Sequence, residues 1–147
     1  NDLSRTAAKS TVEVEELFGI YKFPQVFQMI STIVSEKKAT INGVEVIKAA
    51  FPPGSMTGAP KIRAMELIED YEKTKRSWYA GSLGYFTPEG DFDFNVIIRS
   101  MLYNAENNYL SFTVGGAITD KSVPEKEYEE CLLKAEAILK VLGNSKS

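Results

Sequence analysis

The pattern of this sequence predicts an α+β fold, antiparallel strands with helices packed outside, and three features carry that reading. Between Trp78 and Ile118, three runs rich in aromatic and β-branched residues are separated by the turns Pro88-Glu89-Gly90-Asp91 and Asn104 to Asn108, as in an antiparallel meander. Ahead of them, Ile62, Met65, Leu67, Ile68 and Tyr71 recur at helical spacing, with Arg63, Glu66, Glu69, Asp70 and Lys73 on the other side. After them, Tyr128, Cys131, Leu132, Ala135, Ile138, Leu139 and Leu142 form a second apolar stripe. Segregated strands and helices, rather than alternating βα units, define the class.

Composition sets outer limits. At 147 residues, 44% hydrophobic and 25% charged, the chain suits one globular domain over 1–143 with a frayed polar tail at 144–147. A net charge of −3, with Lys and Arg scattered rather than striped, argues against nucleic acid as a partner. The single Cys131 excludes an intramolecular disulfide and fits a reducing compartment. No run approaches the roughly 18 apolar residues of a membrane span, and the N-terminus lacks a signal-peptide pattern, so the expected location is the cytoplasm. Without any His, imidazole bases, Ser-His-Asp chemistry and Cys/His zinc sites are excluded within this chain. Carboxylates, lysines, hydroxyls or a hard metal ion remain.

The elements follow in order. Asn1 to Glu16 begins in a polar run; Val12, Val14 and Leu17 offer a short strand and Tyr21 to Ile33 a longer one. Lys37 to Gly43 is a turn, its Asn42-Gly43 pair favouring positive φ, and Val44 to Phe51 inclines to helix. Gly54-Ser-Met-Thr-Gly-Ala-Pro-Lys61 organises the chain: two glycines permit close approach, Ser55 and Thr57 supply hydroxyls, and Pro60 at a first helical position leads into the helix Lys61 to Lys73. Amides at that helix start, with Lys61, suit an anion; the same residues also fit a plain cap. Strands are expected at Trp78 to Phe86, Phe92 to Tyr103 and Tyr109 to Ile118, with Gly115-Gly116 ending the last. Pro124 opens the final helix and Gly143 closes it.

On that final helix Glu127, Glu130 and Lys134 fall within roughly 60° of one another at about 100° per residue. The trio fits a solvated flank with an i, i+4 ion pair, or two carboxylates gathered for a divalent ion. Arg99 likewise fits a surface ion pair or an anion contact, Tyr79 a core aromatic or a hydroxyl donor, and Gly115-Gly116 an ordinary turn or a ligand-facing nest.

Five motifs in order, Gly-Ser-Met-Thr-Gly-Ala-Pro-Lys, Ala-Gly-Ser-Leu-Gly-Tyr, Ile-Ile-Arg-Ser, Gly-Gly-Ala-Ile and Pro-Glu-Lys-Glu-Tyr-Glu-Glu, make nearly the whole chain resemble the chorismate-utilising enzymes. Gln28-Met-Ile-Ser-Thr and Trp78-Tyr-Ala-Gly-Ser-Leu-Gly-Tyr look nearest to the aminodeoxychorismate synthase component I branch. The resemblance implies a portion of a larger layered sheet and amination of chorismate at C4, with ammonia from a glutamine amidotransferase subunit. Alternatives are the anthranilate synthase branch, which aminates C2 and eliminates pyruvate, and a non-catalytic binding module. It further implies Mg²⁺ held by Glu130 and Glu127, Lys134 reaching substrate or a metal-bound oxygen, and Arg99 and Tyr79 on the enolpyruvyl carboxylate. Amides of Gly115, Gly116 and Ala117 would cradle the ring, and Ser55 would offer its hydroxyl.

This sequence departs from the family pattern in places. Gln28 stands where relatives carry His, leaving a neutral hydrogen bond; Ala117 replaces a third glycine and Lys121 a common aspartate. Asn1-Asp2-Leu3 matches the middle of a family motif, so the first Mg²⁺ glutamate, the glutamate acid and the lysine nucleophile are expected upstream. The chain is therefore expected to be a C-terminal portion that alone neither aminates chorismate nor holds Mg²⁺ tighter than millimolar, and to self-associate through edges left uncovered.

Overall fold

Polar pairing between neighbouring segments, more than a shared interior, shapes this chain. A computed structural model describes residues 1–23 and 27–143; the expected tail at 144–147 lies outside them. A short 3-10 turn, Leu3–Arg5, leads to β1 (Glu13–Lys22) and β2 (Phe27–Val34), which pair antiparallel with Lys22 opposite Phe27. The single strand expected over Tyr21 to Ile33 is thus two, because the aromatic and β-branched majority of the run outweighed Pro24, which a central strand disfavours. Phe18 bulges β1 at φ 58°, and its N–H is met by Ser31 Oγ at 3.0 Å.

Helix α1 (Gly43–Ala50) follows. Asn42 caps it, accepting from the Glu45 N–H at 3.0 Å while Glu45 accepts from the Asn42 N–H at 2.9 Å. The Asn42-Gly43 pair therefore starts a helix rather than a positive-φ turn: a Glu at the third position closes a capping box. Beyond the 3-10 turn Gly54–Met56, α2 (Lys61–Tyr71) begins one residue after Pro60, which is extended at ψ 136° and sits ahead of the helix rather than within it.

Of the two readings of this loop, the anion site fails at Lys61, which is not open to a ligand. Its side chain is 4% exposed, lies 2.5 Å from Asp2 Oδ1, and donates to the carbonyls of Pro52 (2.7 Å) and Ala50 (3.3 Å). The same Asp2 accepts from the Gly54 N–H at 2.8 Å, so one carboxylate ties the N-terminal turn to the organising loop.

The expected meander separates into two hairpins, β3 (Ser82–Phe86) with β4 (Phe92–Val96), and β5 (Met101–Asn104) with β6 (Tyr109–Phe112). Trp78 and Tyr79 belong to a turn before β3, where Ser77 and Ala80 take φ of 53° and 65°. Phe92 to Tyr103 is interrupted at Ile97–Ser100, with Arg99 at φ 53°. A left-handed residue cannot continue a pleated strand, so the ladder stops and restarts in a new direction. Buried Ala80 and Ile97 stitch the two breaks together, Ala80 N–H to Ile97 carbonyl at 3.0 Å and Ile97 N–H to Gly81 carbonyl at 2.9 Å. Thr113 to Ile118 continues beyond β6 as an irregular loop.

The last helix, α3 (Pro124–Val141), has Pro124 at its start and Gly143 beyond it at φ 73°, as the sequence indicated. Buried apolar residues among those described are few: Ala7, Ala80, Ile97, Ala135 and Ile138. Accessible surface totals 11833 Å², whereas a compact monomer of 16.3 kDa exposes about 7,500 Å². Apolar faces of β1, β2 and α3, including Phe27, Leu133 and Val141, make up part of the excess.

Candidate functional site

Ala135 and Ile138 are the buried residues of α3, and the flank that adjoins them, carrying Glu127, Glu130 and Lys134, faces the Gly115-Gly116 loop. Lys134 Nζ lies 2.5 Å from Glu130 Oε1 and donates to the Gly115 carbonyl at 3.0 Å. A Cβ on Gly116 would stand 3.3 Å from Glu127 Oε2, and one on Gly115 would stand 2.9 Å from the Tyr79 hydroxyl. Minimal side chains at both positions are what let the helix flank and the tyrosine close on the loop from two sides. Tyr79, Gly115, Gly116, Glu127, Glu130 and Lys134 thus share one locality, and exposed Ala117 follows directly in the chain.

Tyr79 leads on to the organising loop. The Arg76 guanidinium lies 5.8 Å from the centre of the Tyr79 ring, grips Glu72 with Nε and Nη2 at 2.8 and 2.5 Å, and donates through Nη1 to the Met56 carbonyl at 2.6 Å. The hydrogen bond from Arg76 holds the Glu72 carboxyl below its ordinary range, and the same bond raises Arg76 further above its own. Between the loop and α2 is a cavity of about 440 Å³ whose boundary includes Phe51, Pro52, Met65, Ile68, Arg76 and Tyr79. Ser55 is exposed at the apex of the loop, between the anchored Gly54 amide and Met56 carbonyl.

Arg99 and Gln28 form a separate pair. Arg99 Nη2 donates to Gln28 Oε1 at 3.4 Å, linking the bend between β4 and β5 to β2. That bond is long and Arg99 is exposed, so its fork is available to an incoming carboxylate.

Glu127 and Glu130 offer hard oxygen donors, the chemistry that suits Mg²⁺, which commonly takes one or two carboxylates and completes its shell with water and substrate. Among the described residues no group of three or more His, Cys, Asp or Glu side chains gathers to hold a metal. Glu130 Oε1 is paired with Lys134 and Glu127 Oε2 faces Gly116, so each glutamate has the donor chemistry of a Mg²⁺ ligand on the loop side of α3.

Two features escaped sequence reading. Asp2 carried no local signal, since its partners lie far along the chain; the i, i+4 spacing of Glu72 and Arg76 was the only cue to their pairing.

Comparison with known proteins follows this geometry. The family described as chorismate binding enzyme matches residues 1–140. The chain belongs to that family. Over all 147 residues it is 42% identical to a putative aminodeoxychorismate synthase of Schizosaccharomyces pombe, of which it spans 20%. It is 38% identical to anthranilate synthase component 1 of Aquifex aeolicus, matching over 97% of this chain and 28% of that protein. Its fold aligns at a TM-score of 0.82 with a putative 2,3-dihydroxybenzoate-specific isochorismate synthase, DhbC, of Bacillus anthracis, at 26% identity over 97% of this chain and 37% of that one. The α+β class expected from the sequence is borne out by these neighbours and by the antiparallel hairpins and flanking helices. No helix among the described residues is long and apolar enough to cross a membrane.

Proposed function

We propose that this chorismate-binding chain forms part of the catalytic domain of an aminodeoxychorismate synthase component I. In that reaction ammonia adds at C4 of chorismate as the C4 hydroxyl departs, giving 4-amino-4-deoxychorismate and water, with the ammonia delivered by a glutamine amidotransferase partner. The observation that carries the reading is the convergence of Tyr79, Gly115-Gly116 and the Glu127–Glu130–Lys134 flank in a chorismate-binding chain.

Amides of Gly115, Gly116 and Ala117 take the ring carboxylate, Tyr79 offers its hydroxyl to the enolpyruvyl carboxylate, and from the separate pair Arg99 forks that carboxylate while Gln28 gives a neutral hydrogen bond. Ser55 presents its hydroxyl, and Lys134 balances the carboxylates while reaching a substrate oxygen. Glu130 and Glu127 hold Mg²⁺, which when bound neutralises a substrate carboxylate and eases loss of the hydroxyl. A second reading, C2 amination as in anthranilate synthase, is favoured by the likeness to the Aquifex protein.

The test is an NMR titration of the labelled chain with chorismate and Mg²⁺. Shifts confined to Gln28, Ser55, Tyr79, Arg99, residues 115–117 and the Glu127–Glu130–Lys134 flank are expected, with millimolar affinity and no turnover from this chain alone. Absence of any shift at those residues refutes the reading. Mass spectrometry of products from the polypeptide that carries this chain, supplied with ammonia, separates C4 from C2 amination.

The surface excess over a compact monomer, about 4,300 Å², exceeds the roughly 1,600 Å² of a standard protein interface. It supports self-association of the chain in isolation through its apolar faces.

A further inference from the structure

Arg76 lies outside every role assigned above, yet its guanidinium reaches both the organising loop and the Tyr79 ring. Its side chain is 25% exposed. Two nitrogens are fixed by the Glu72 carboxylate, which sets the plane of the guanidinium. With the plane set, the N–H groups of Nη1 are fixed in it, and Nη1 donates to the Met56 carbonyl, the peptide immediately after Ser55. The guanidinium carbon lies over the Tyr79 ring, 5.8 Å from its centre. The backbone adds a second tie, since the Tyr79 N–H donates to the Arg76 carbonyl at 2.9 Å.

We propose that Arg76 is a positioning residue of the substrate site, setting the spacing between the Ser55 hydroxyl and the Tyr79 hydroxyl without itself touching substrate. This rests on the reading that Ser55 and Tyr79 line the chorismate site. The opposite side of the loop is held independently, by Asp2 at the Gly54 amide and Lys61 at the Pro52 carbonyl. Movement of Ser55 is therefore governed by the Met56 side, where Arg76 is the anchor. A lysine cannot replace it: an ammonium is a point charge that has no plane to carry a fork and a third directed bond together.

The experiment compares the ¹⁵N,¹³C-labelled chain with Arg76→Lys and Arg76→Gln. Two readouts are used: the Thr57 amide ¹⁵N shift, which reports the Met56–Thr57 peptide, and the Tyr79 ring protons. Both are expected to move in both variants while signals of β1 and β2 stay in place. Chorismate-induced shifts at Ser55 and Tyr79 are then expected to need at least fivefold more chorismate, with Arg76→Lys giving no rescue. The inference is overturned if Thr57 and Tyr79 stay at their wild-type positions in Arg76→Gln, if Arg76→Lys restores both, or if the changes spread evenly over all hairpins. Should the wild-type chain show no chorismate-dependent shifts, the functional reading falls, while the Thr57 and Tyr79 signals still decide whether Arg76 couples the two.

Discussion

Lys61→Met removes a nearly buried ammonium while keeping most of its stem. Asp2 would lose its 2.5 Å partner and the carbonyls of Pro52 and Ala50 their donor. Breaking a buried ion pair from one side costs about 3–5 kcal/mol. Asp2 is 23% exposed and keeps the Gly54 N–H, so it recovers part of that through hydration, and the expected loss is about 2–3 kcal/mol. Asp2→Asn should cost somewhat less, and the double variant less than the two singles together, with a coupling of about 1–2 kcal/mol. Urea unfolding followed by Trp78 fluorescence measures all three. Acid provides an independent arm. Burial pushes the Asp2 carboxyl up, but the hydrogen bonds from Lys61 and the Gly54 N–H, with the Lys61 charge, outweigh it and hold the carboxyl below its ordinary value. A depressed carboxyl contributes stability above its unfolded pKa, about 3.9, that is lost as pH falls through the folded value. Lys61→Met should flatten this acid dependence. A loss under about 0.5 kcal/mol, or strict additivity with Asp2→Asn, would show that the lysine is not locked and refute the reasoning.

Four further outcomes are expected. Gly115→Ala places a methyl 2.9 Å from the Tyr79 hydroxyl, so chorismate-induced shifts at Tyr79 should weaken about tenfold, and adding Tyr79→Phe should restore the melting temperature lost by the alanine; an unchanged titration counts against the cluster. Asn42→Ala removes the capping box of α1 and should lower stability by about 1 kcal/mol in the same urea assay, whereas no change would place the helix start elsewhere. Because its carboxyl is depressed by Arg76, Glu72 should release the guanidinium only as pH drops below the ordinary glutamate range, about 4.3; a Thr57 ¹⁵N titration with its midpoint at or above that value contradicts the pairing. Sedimentation velocity should show dimers or larger species of the isolated chain that dissociate on dilution, and a single monomer at every concentration excludes self-association through the exposed faces.

Local chemistry was legible and long-range pairing was not. Pro124 and Gly143 bracket α3, and the apolar stripe of α2 predicts its span to within a turn, because these signals lie within a few residues of what they control. The hairpin turns at Pro88–Asp91 and Asn104–Asn108 stand for the same reason. The strand breaks at Ala80 and Arg99 were invisible: neither residue favours a left-handed conformation, and both are held by contacts with distant segments. Lys61 shows the same limit. A lysine beside a glycine-rich loop suits a ligand equally well until Asp2 is found against it. Of the candidate site, the α3 flank followed from helical spacing, while the bridge from Ser55 through Arg76 to Tyr79 is a property of three segments together.

Each of the three ladders joins strands adjacent in sequence. Hairpins of this kind close in about 1–10 μs, since little loop entropy opposes them. Nucleation is therefore quick and modular: β1–β2, β3–β4 and β5–β6 arise independently. The late event is the docking of segments onto one another, through Asp2–Lys61 between the N-terminal turn and α2, Arg99–Gln28 between the β4–β5 bend and β2, and Lys134–Gly115 between α3 and the last loop. Substitutions inside a hairpin will accordingly change how fast the chain begins to fold, and those at the three bridges how long it stays folded.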